Sequence, residues 1–175
     1  AGNAINNAGA DGTVAIGKSS LSALTSGAGN TSIGFESLKT ENDGSRNTAI
    51  GYKALTTLNT SAGNGQTTAV GFEAGMDAST GINNTFVGSR AGNQGTNDIT
   101  TGDNNTLIGM EARASAAGAA NQTVIGASAI GVANNSVTLG NADVTDVYMS
   151  DDAKVTGALV HCGGVSGSST STGSF

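Results

Sequence analysis

Eight short glycine-centred words recur along this chain, and no other feature constrains its folding as strongly. The glycines are Gly17, Gly34, Gly51, Gly71, Gly88, Gly109, Gly126 and Gly140, spaced 17, 17, 20, 17, 21, 17 and 14 residues apart. Around them stand TVAIGKSSL, NTSIGFESL, NTAIGYKAL, TTAVGFEAG, NTFVGSRAG, NTLIGMEAR, QTVIGASAI and SVTLGN. A recurring unit of this length is too small to bury an apolar face alone, so copies must stack to make a core. The repeat therefore predicts an all-β fold, a parallel β-roll or solenoid of about eight rungs.

Each column of the alignment has a physical reading. The residue before the glycine is always aliphatic: Ile16, Ile33, Ile50, Val70, Val87, Ile108, Ile125 and Leu139. Two places earlier the residue is always β-branched: Val14, Thr31, Thr48, Thr68, Thr85, Thr106, Thr123 and Val137. Residues two apart on a strand share a face, and β-branched side chains suit a pleated surface. These two columns are expected to face inward, with the aliphatic one as the core stripe. The column between them faces the opposite way and is also mostly small or apolar, including Ala15, Ala49, Ala69, Phe86, Leu107 and Val124. Its lack of charge predicts a cover, supplied between chains by further copies of the molecule. The glycines are expected at bends, where positive φ or close backbone approach is needed.

A second short strand is expected after each glycine. Ser19, Glu36, Lys53, Glu73, Arg90, Glu111 and Ser128 would point to water from it, and Leu21, Leu38 and Leu55 inward. Gly75, Gly92 and Arg113 take the place of those leucines in later copies, which implies a core that narrows or changes partner. The longer periods come from the loop segments TTLNTSAGNGQ and NQGTNDITTGD. Insertions in a solenoid normally map to one exposed side. The Ala-rich run from Ala112 to Ala120 could be read as helix, but Gly118 interrupts it and the repeat continues through it. Beyond residue 141 the period stops. Residues 142–162 are expected to form an exit segment with strands at Val144 to Met149 and Lys154 to Cys162, and residues 163–175 a Gly/Ser/Thr-rich tail.

The words NTAIGYKAL, NTSIGFESL and NNTFVGSRAG resemble the head repeats of trimeric autotransporter adhesins of the YadA type, and equally the β-roll repeats of phage tail-fibre proteins. The resemblance covers about residues 12 to 141. It implies a left-handed parallel β-roll in a homotrimer. Autotransporter heads usually repeat near 14 residues, whereas this chain mostly runs at 17 and carries no heptad stalk or membrane-anchor segment. The exit segment VTLGNADVTDVYMSDDAKVTGALVHCGG is similar to the way phage fibres leave the roll. The resemblance thus favours a virion fibre that spaces and presents a host-recognition tip, with other fibre or virion proteins and a host-surface receptor as partners. A bacterial surface adhesin is the runner-up. The start at Ala1 is expected to mark a processed piece or part of a longer chain.

Composition excludes several other functions. A net charge of −6 with seven scattered basic residues offers no stripe for a nucleic-acid backbone. No apolar run approaches the roughly 20 residues of a spanning helix, so no membrane insertion is expected. His161 is the only histidine and Cys162 the only cysteine, which leaves no set of partners for a catalytic triad or a zinc site. Asp151-Asp152 reads as a turn rather than a calcium site. No enzyme, cofactor or metal is expected. The Asn-x-Ser/Thr triplets beginning at Asn30, Asn59, Asn83, Asn104, Asn121 and Asn134 arise from the repeat word, not as glycosylation signals. Phe35, Tyr52, Phe72 and Met110 follow their glycines directly and are read as an apolar stripe, with carbohydrate stacking as the sharper alternative. An ice-binding solenoid is disfavoured as long as the threonine column faces inward.

Overall fold

The computed structural model describes residues 10–61 and 64–147. The chain divides into two units, Ala1–Thr145 and Asp146–Phe175, and all eight repeats lie in the first. Each repeat contributes one short strand immediately before its glycine: β1 Val14–Ile16, β2 Thr31–Ile33, β3 Thr48–Ile50, β4 Thr68–Val70, β5 Thr85–Val87, β6 Thr106–Ile108, β7 Gln122–Ile125 and β8 Ser136–Leu139. They form one parallel sheet in strict sequence order. The register pairs equivalent positions, so Thr48 lies beside Thr31 and Thr68, and Ile50 beside Ile33 and Val70. The fold is a β-solenoid that rises by one strand per repeat, whether the period is 14 residues or 21. The extra residues of the long periods leave the ladder undisturbed. One of them includes a single 3-10 turn at Gly95–Asn97.

The direction in which the strands face reverses the expectation. Ser32, Ala49, Ala69, Phe86, Leu107 and Val124, in the middle column, are fully buried within the single chain, and Ala15 packs partly buried against them. The aliphatic column is outside: Ile16 is 55% exposed, Ile50 37%, Ile108 37% and Leu139 50%, with Ile33 and Val87 half-buried. Thr31, Thr48, Thr68, Thr85, Thr106 and Thr123 share that outer face and are half-buried. The supposed core stripe is therefore an outer stripe, and the supposed interchain column is the core. The physical reason is width. Opposite the sheet stands a second wall whose inward column is Ser20, Ser37, Ala54, Ala74, Ala91, Ala112 and Ala129, all fully buried. Against that wall the strands place Ser32, Ala49 and Ala69 in β2 to β4 and the larger Phe86, Leu107 and Val124 in β5 to β7.

That second wall is not a strand. Residues two and four places after the glycine have left-handed backbone: Glu36 has φ 55 and Leu38 φ 45, and the pattern repeats at Lys53 and Leu55. The chain here advances by alternating hand, and its amides hydrogen-bond alternately to the two neighbouring rungs. Lys53 N donates to Phe35 O at 2.8 Å, while Leu55 N donates to Ala74 O at 3.0 Å. Leu21, Leu38 and Leu55 are buried from this wall. Gly75 and Gly92 replace leucine because Phe86 occupies the space: a Cβ on Gly75 would sit 2.6 Å from the Phe86 ring, and one on Gly92 would run into its other edge. The core changes occupant there rather than narrowing.

The repeat glycines join the two walls. All eight have positive φ, from 81 at Gly140 to 144 at Gly34. A Cβ on Gly34 would collide with the carbonyl of Gly51 in the next rung, so the column is closed to any side chain. The other corner is held by a polar ladder. Asn47 N donates to Asn30 Oδ1 at 2.9 Å, Thr67 N to Asn47 Oδ1 at 3.1 Å, and Asn84 N to Thr67 Oγ1 at 3.4 Å. Asn105 N then donates to Asn84 Oδ1 at 2.9 Å, and Gln122 N to Asn105 Oδ1 at 3.0 Å. Just outside this ladder, Asn83, Asn104, Asn121 and Asn135 adopt left-handed φ between 53 and 59, a conformation asparagine tolerates well. The Asn-Asn-Thr words thus encode a left-handed residue, an interior ladder residue and the first strand residue.

Within residues 112–120 no helix forms. The described part of the expected exit strand, Val144 to Val147, is not in a strand, and the remainder lies outside the described residues.

Candidate functional site

The outer face of the sheet is the surface that sets this molecule apart. It presents two parallel columns, one β-branched and one aliphatic, from β1 to β8, with no charged side chain in either. Six successive inner rungs read Thr-x-Ile or Thr-x-Val, and the end rungs replace the threonine with Val14 and Val137, which are 43% and 68% exposed. Rungs recur at about 4.8 Å, so seven intervals extend roughly 34 Å. Monomeric soluble proteins seldom keep a long ordered apolar strip of this kind open to water.

An aromatic ladder borders the strip on the far side of the glycine column. Phe35 and Tyr52 stack with ring centroids 5.3 Å apart and planes 11° from parallel, and Tyr52 and Phe72 at 5.3 Å and 7°. Cations lie over the rings: Lys18 over Phe35, Lys53 over Tyr52 at 5.5 Å and Arg90 over Phe72 at 5.7 Å. Ring faces that contact one another and these cations are not free for a sugar. This mutual stacking argues against carbohydrate stacking on the ring faces.

Next to the rings runs a column of alternating charge, Glu36, Lys53, Glu73, Arg90 and Glu111. Arg90 bridges its neighbours above and below, 3.2 Å from Glu73 and 3.7 Å from Glu111. A hydrogen bond from Lys39 at 2.9 Å holds the Glu36 carboxyl below its ordinary range. Its contribution to stability is present above the unfolded-state pKa and is lost as pH falls through the lower folded value. Asp98 is shifted the other way, chiefly by burial, although the Gln94 amide donates to it, and Asp77 nearby adds to the rise. Stability at Asp98 therefore falls as pH climbs from the unfolded value to the raised one.

Among the described residues one carboxylate is fully buried. Glu41 accepts hydrogen bonds from Gly44 N at 2.8 Å, Thr60 N at 3.1 Å and Thr60 Oγ1 at 3.0 Å. Those partners make it a brace between two loops. Its role is invisible in the sequence, because nothing in TENDGSR separates a buried carboxylate from a solvated one. The asparagine ladder also escapes a reading of the strand columns, although Asn recurring directly before Thr is its visible signal. Among the described residues no group of three or more His, Cys, Asp or Glu could hold a metal ion, and no helix is long and apolar enough to cross a membrane. His161, Cys162, Asp151 and Asp152 lie outside the described residues.

No protein-family model, curated protein or solved structure matches this chain. The rungs themselves therefore carry the functional reading.

Proposed function

We propose that the chain is a structural segment of a virion fibre, the left-handed β-roll shaft of a homotrimeric phage tail fibre that spaces and presents a host-recognition tip. It is adhesive and mechanical rather than catalytic. The observation that carries this reading is the hydrogen bonding that joins rung to rung along the sheet, the second wall and the polar corner. Strand pairing, left-handed turns and buried asparagines each link successive rungs by hydrogen bonds. Such a stack resists bending and tolerates loop insertion without changing its rise, which suits a spacer. The fibre's partners are copies of itself, other virion proteins and a receptor on the host surface.

The gene in its genomic setting tests the proposal. Neighbouring virion structural genes are expected. A downstream heptad coiled coil with an outer-membrane anchor would overturn the phage reading in favour of a bacterial trimeric autotransporter adhesin. Sedimentation tests the trimer: three chains per particle are expected at micromolar concentration, and a folded monomer would refute it.

A further inference from the structure

We infer that Asn64-Gly65 is a site of spontaneous main-chain modification, where the asparagine side chain closes on the following backbone nitrogen and the ring then opens to aspartate and isoaspartate. The inference is independent of the shaft reading. This is the one Asn-Gly pair in the sequence. Ring closure needs a carboxamide, a following amide whose proton is not engaged, and no side chain crowding that nitrogen. The fold itself demands the glycine: its φ is 149, and a Cβ there would sit 2.4 Å from Ser45 O.

The ladder denies this reaction to other asparagines. Asn30, Asn47 and Asn84 are fully buried, and the amides that follow them are engaged. Thr31 N donates to Asn47 O at 2.8 Å, Thr48 N to Thr67 O at 2.9 Å and Thr85 N to Asn105 O at 2.7 Å. Asn64 differs. Its side chain belongs to an exposed residue, and the Gly65 amide has no acceptor among the described residues. Ser45 N donates to Asn64 O at 2.9 Å, and Thr60 Oγ1 stands 2.9 Å from the same oxygen. Donors on that carbonyl draw density from the Gly65 nitrogen and make its proton easier to remove. Gly65 is itself buried, which slows proton loss, but the electrophile sits on the adjacent residue and needs no diffusional approach.

In the reaction, hydroxide takes the Gly65 amide proton, the nitrogen bonds to Asn64 Cγ, and ammonia leaves. Water then opens the five-membered imide. Breaking the new N–Cγ bond gives aspartate; breaking the original peptide bond gives isoaspartate, with the main chain running through Cβ and Cγ. The second product lengthens the main chain by one atom and turns the acceptor of Ser45 N into a free carboxylate. Thr60 Oγ1 links that position to the buried Glu41, to which it donates at 3.0 Å. The seam between the third and fourth repeats should loosen as a result.

The test holds the full folded chain in warm, mildly alkaline buffer beside a synthetic peptide of residues 60–68. Peptide mapping by mass spectrometry reads the amide-to-acid mass gain, and an isoaspartyl methyltransferase marks the isoaspartate. Conversion at Asn64 should run within about tenfold of the free peptide and about tenfold or more ahead of Asn30, Asn47 and Asn84. Asn64→Gln, which would have to close a six-membered ring, should lose the gain. In the isoaspartate-bearing chain the Ser45 amide should exchange faster with deuterium than in the unconverted chain. An Asn64 carboxamide that outlasts about ten half-lives of the free peptide would overturn the proposal, as would equal conversion at the ladder asparagines. Unchanged Ser45 protection after conversion would overturn the predicted loosening of the seam.

Discussion

At the scale of single residues, the molecule is governed by what fits between two close walls. Phe86 is the largest fully buried side chain among the described residues, and it is accommodated because Gly75 and Gly92 present no Cβ to its ring. Gly92 also has φ 71, so an alanine there meets both backbone strain and the Phe86 edge. Gly92→Ala should cost about 2–4 kcal/mol of stability. Phe86→Leu should relieve part of that cost, so the double variant should be more stable than the sum of the two single effects by about 1 kcal/mol. Thermal or denaturant unfolding of the three variants measures the coupling, and strict additivity would show that the two positions do not compete for space. The same narrowness explains the reversed facing of the strands. Spacing in the sequence shows that Thr48 and Ile50 share a face and that Ala49 takes the other. It does not show which face is inside. Large aliphatic residues normally mark a core, but here the strands bury the middle column, in which serine and alanine of the early rungs give way to Phe86, Leu107 and Val124. The width is set by Ala54, Ala74, Ala91 and Ala112 on the far wall, and nothing adjacent to the strand in sequence reports it.

At the scale of elements, three-residue strands are too short to be held by the sheet alone, so the corners share the work. Asn84 accepts from Asn105 N at 2.9 Å and donates to Gly102 O at 2.7 Å, wholly inside the roll. Asn84→Ala leaves a buried amide and a buried carbonyl unpaired and should cost about 2–3 kcal/mol. Hydrogen exchange checks its locality: the Asn105 amide should lose protection first, and uniform protection across the rungs would contradict a ladder role. The strand positions and the fold class were legible because the word before each glycine repeats in β-branched and aliphatic residues. The second wall was not. Its alternating left-handed residues are ordinary Ser, Glu, Lys, Arg and Leu, which carry no local signal for that backbone. Neighbouring rungs impose the conformation through hydrogen bonds on both sides, a cause that is non-local in sequence. The outer face is likewise hidden in the sequence, because strand spacing alone does not say which column lies inside.

At the scale of the whole molecule, one repeat is the unit that can be added or removed. Deleting residues 31–47 takes out one period of 17, joins Asn30 to Thr48 and preserves every column. That variant should fold into a solenoid one rung shorter, with a proportionate loss of stability. Thermal unfolding of this variant checks the prediction, and a failure to fold would show that the rungs are not interchangeable units. The second wall has a consequence for how the chain comes together. A non-glycine residue in left-handed conformation costs roughly 1–2 kcal/mol in isolation, and a rung such as β3's contributes two of them to this wall, Lys53 and Leu55. A rung on its own therefore has little reason to take its native path. It takes it when a finished neighbour offers the matching donors and acceptors, much as a crystal layer settles on the layer beneath. Each turn of the solenoid thus takes its path from the turn beside it.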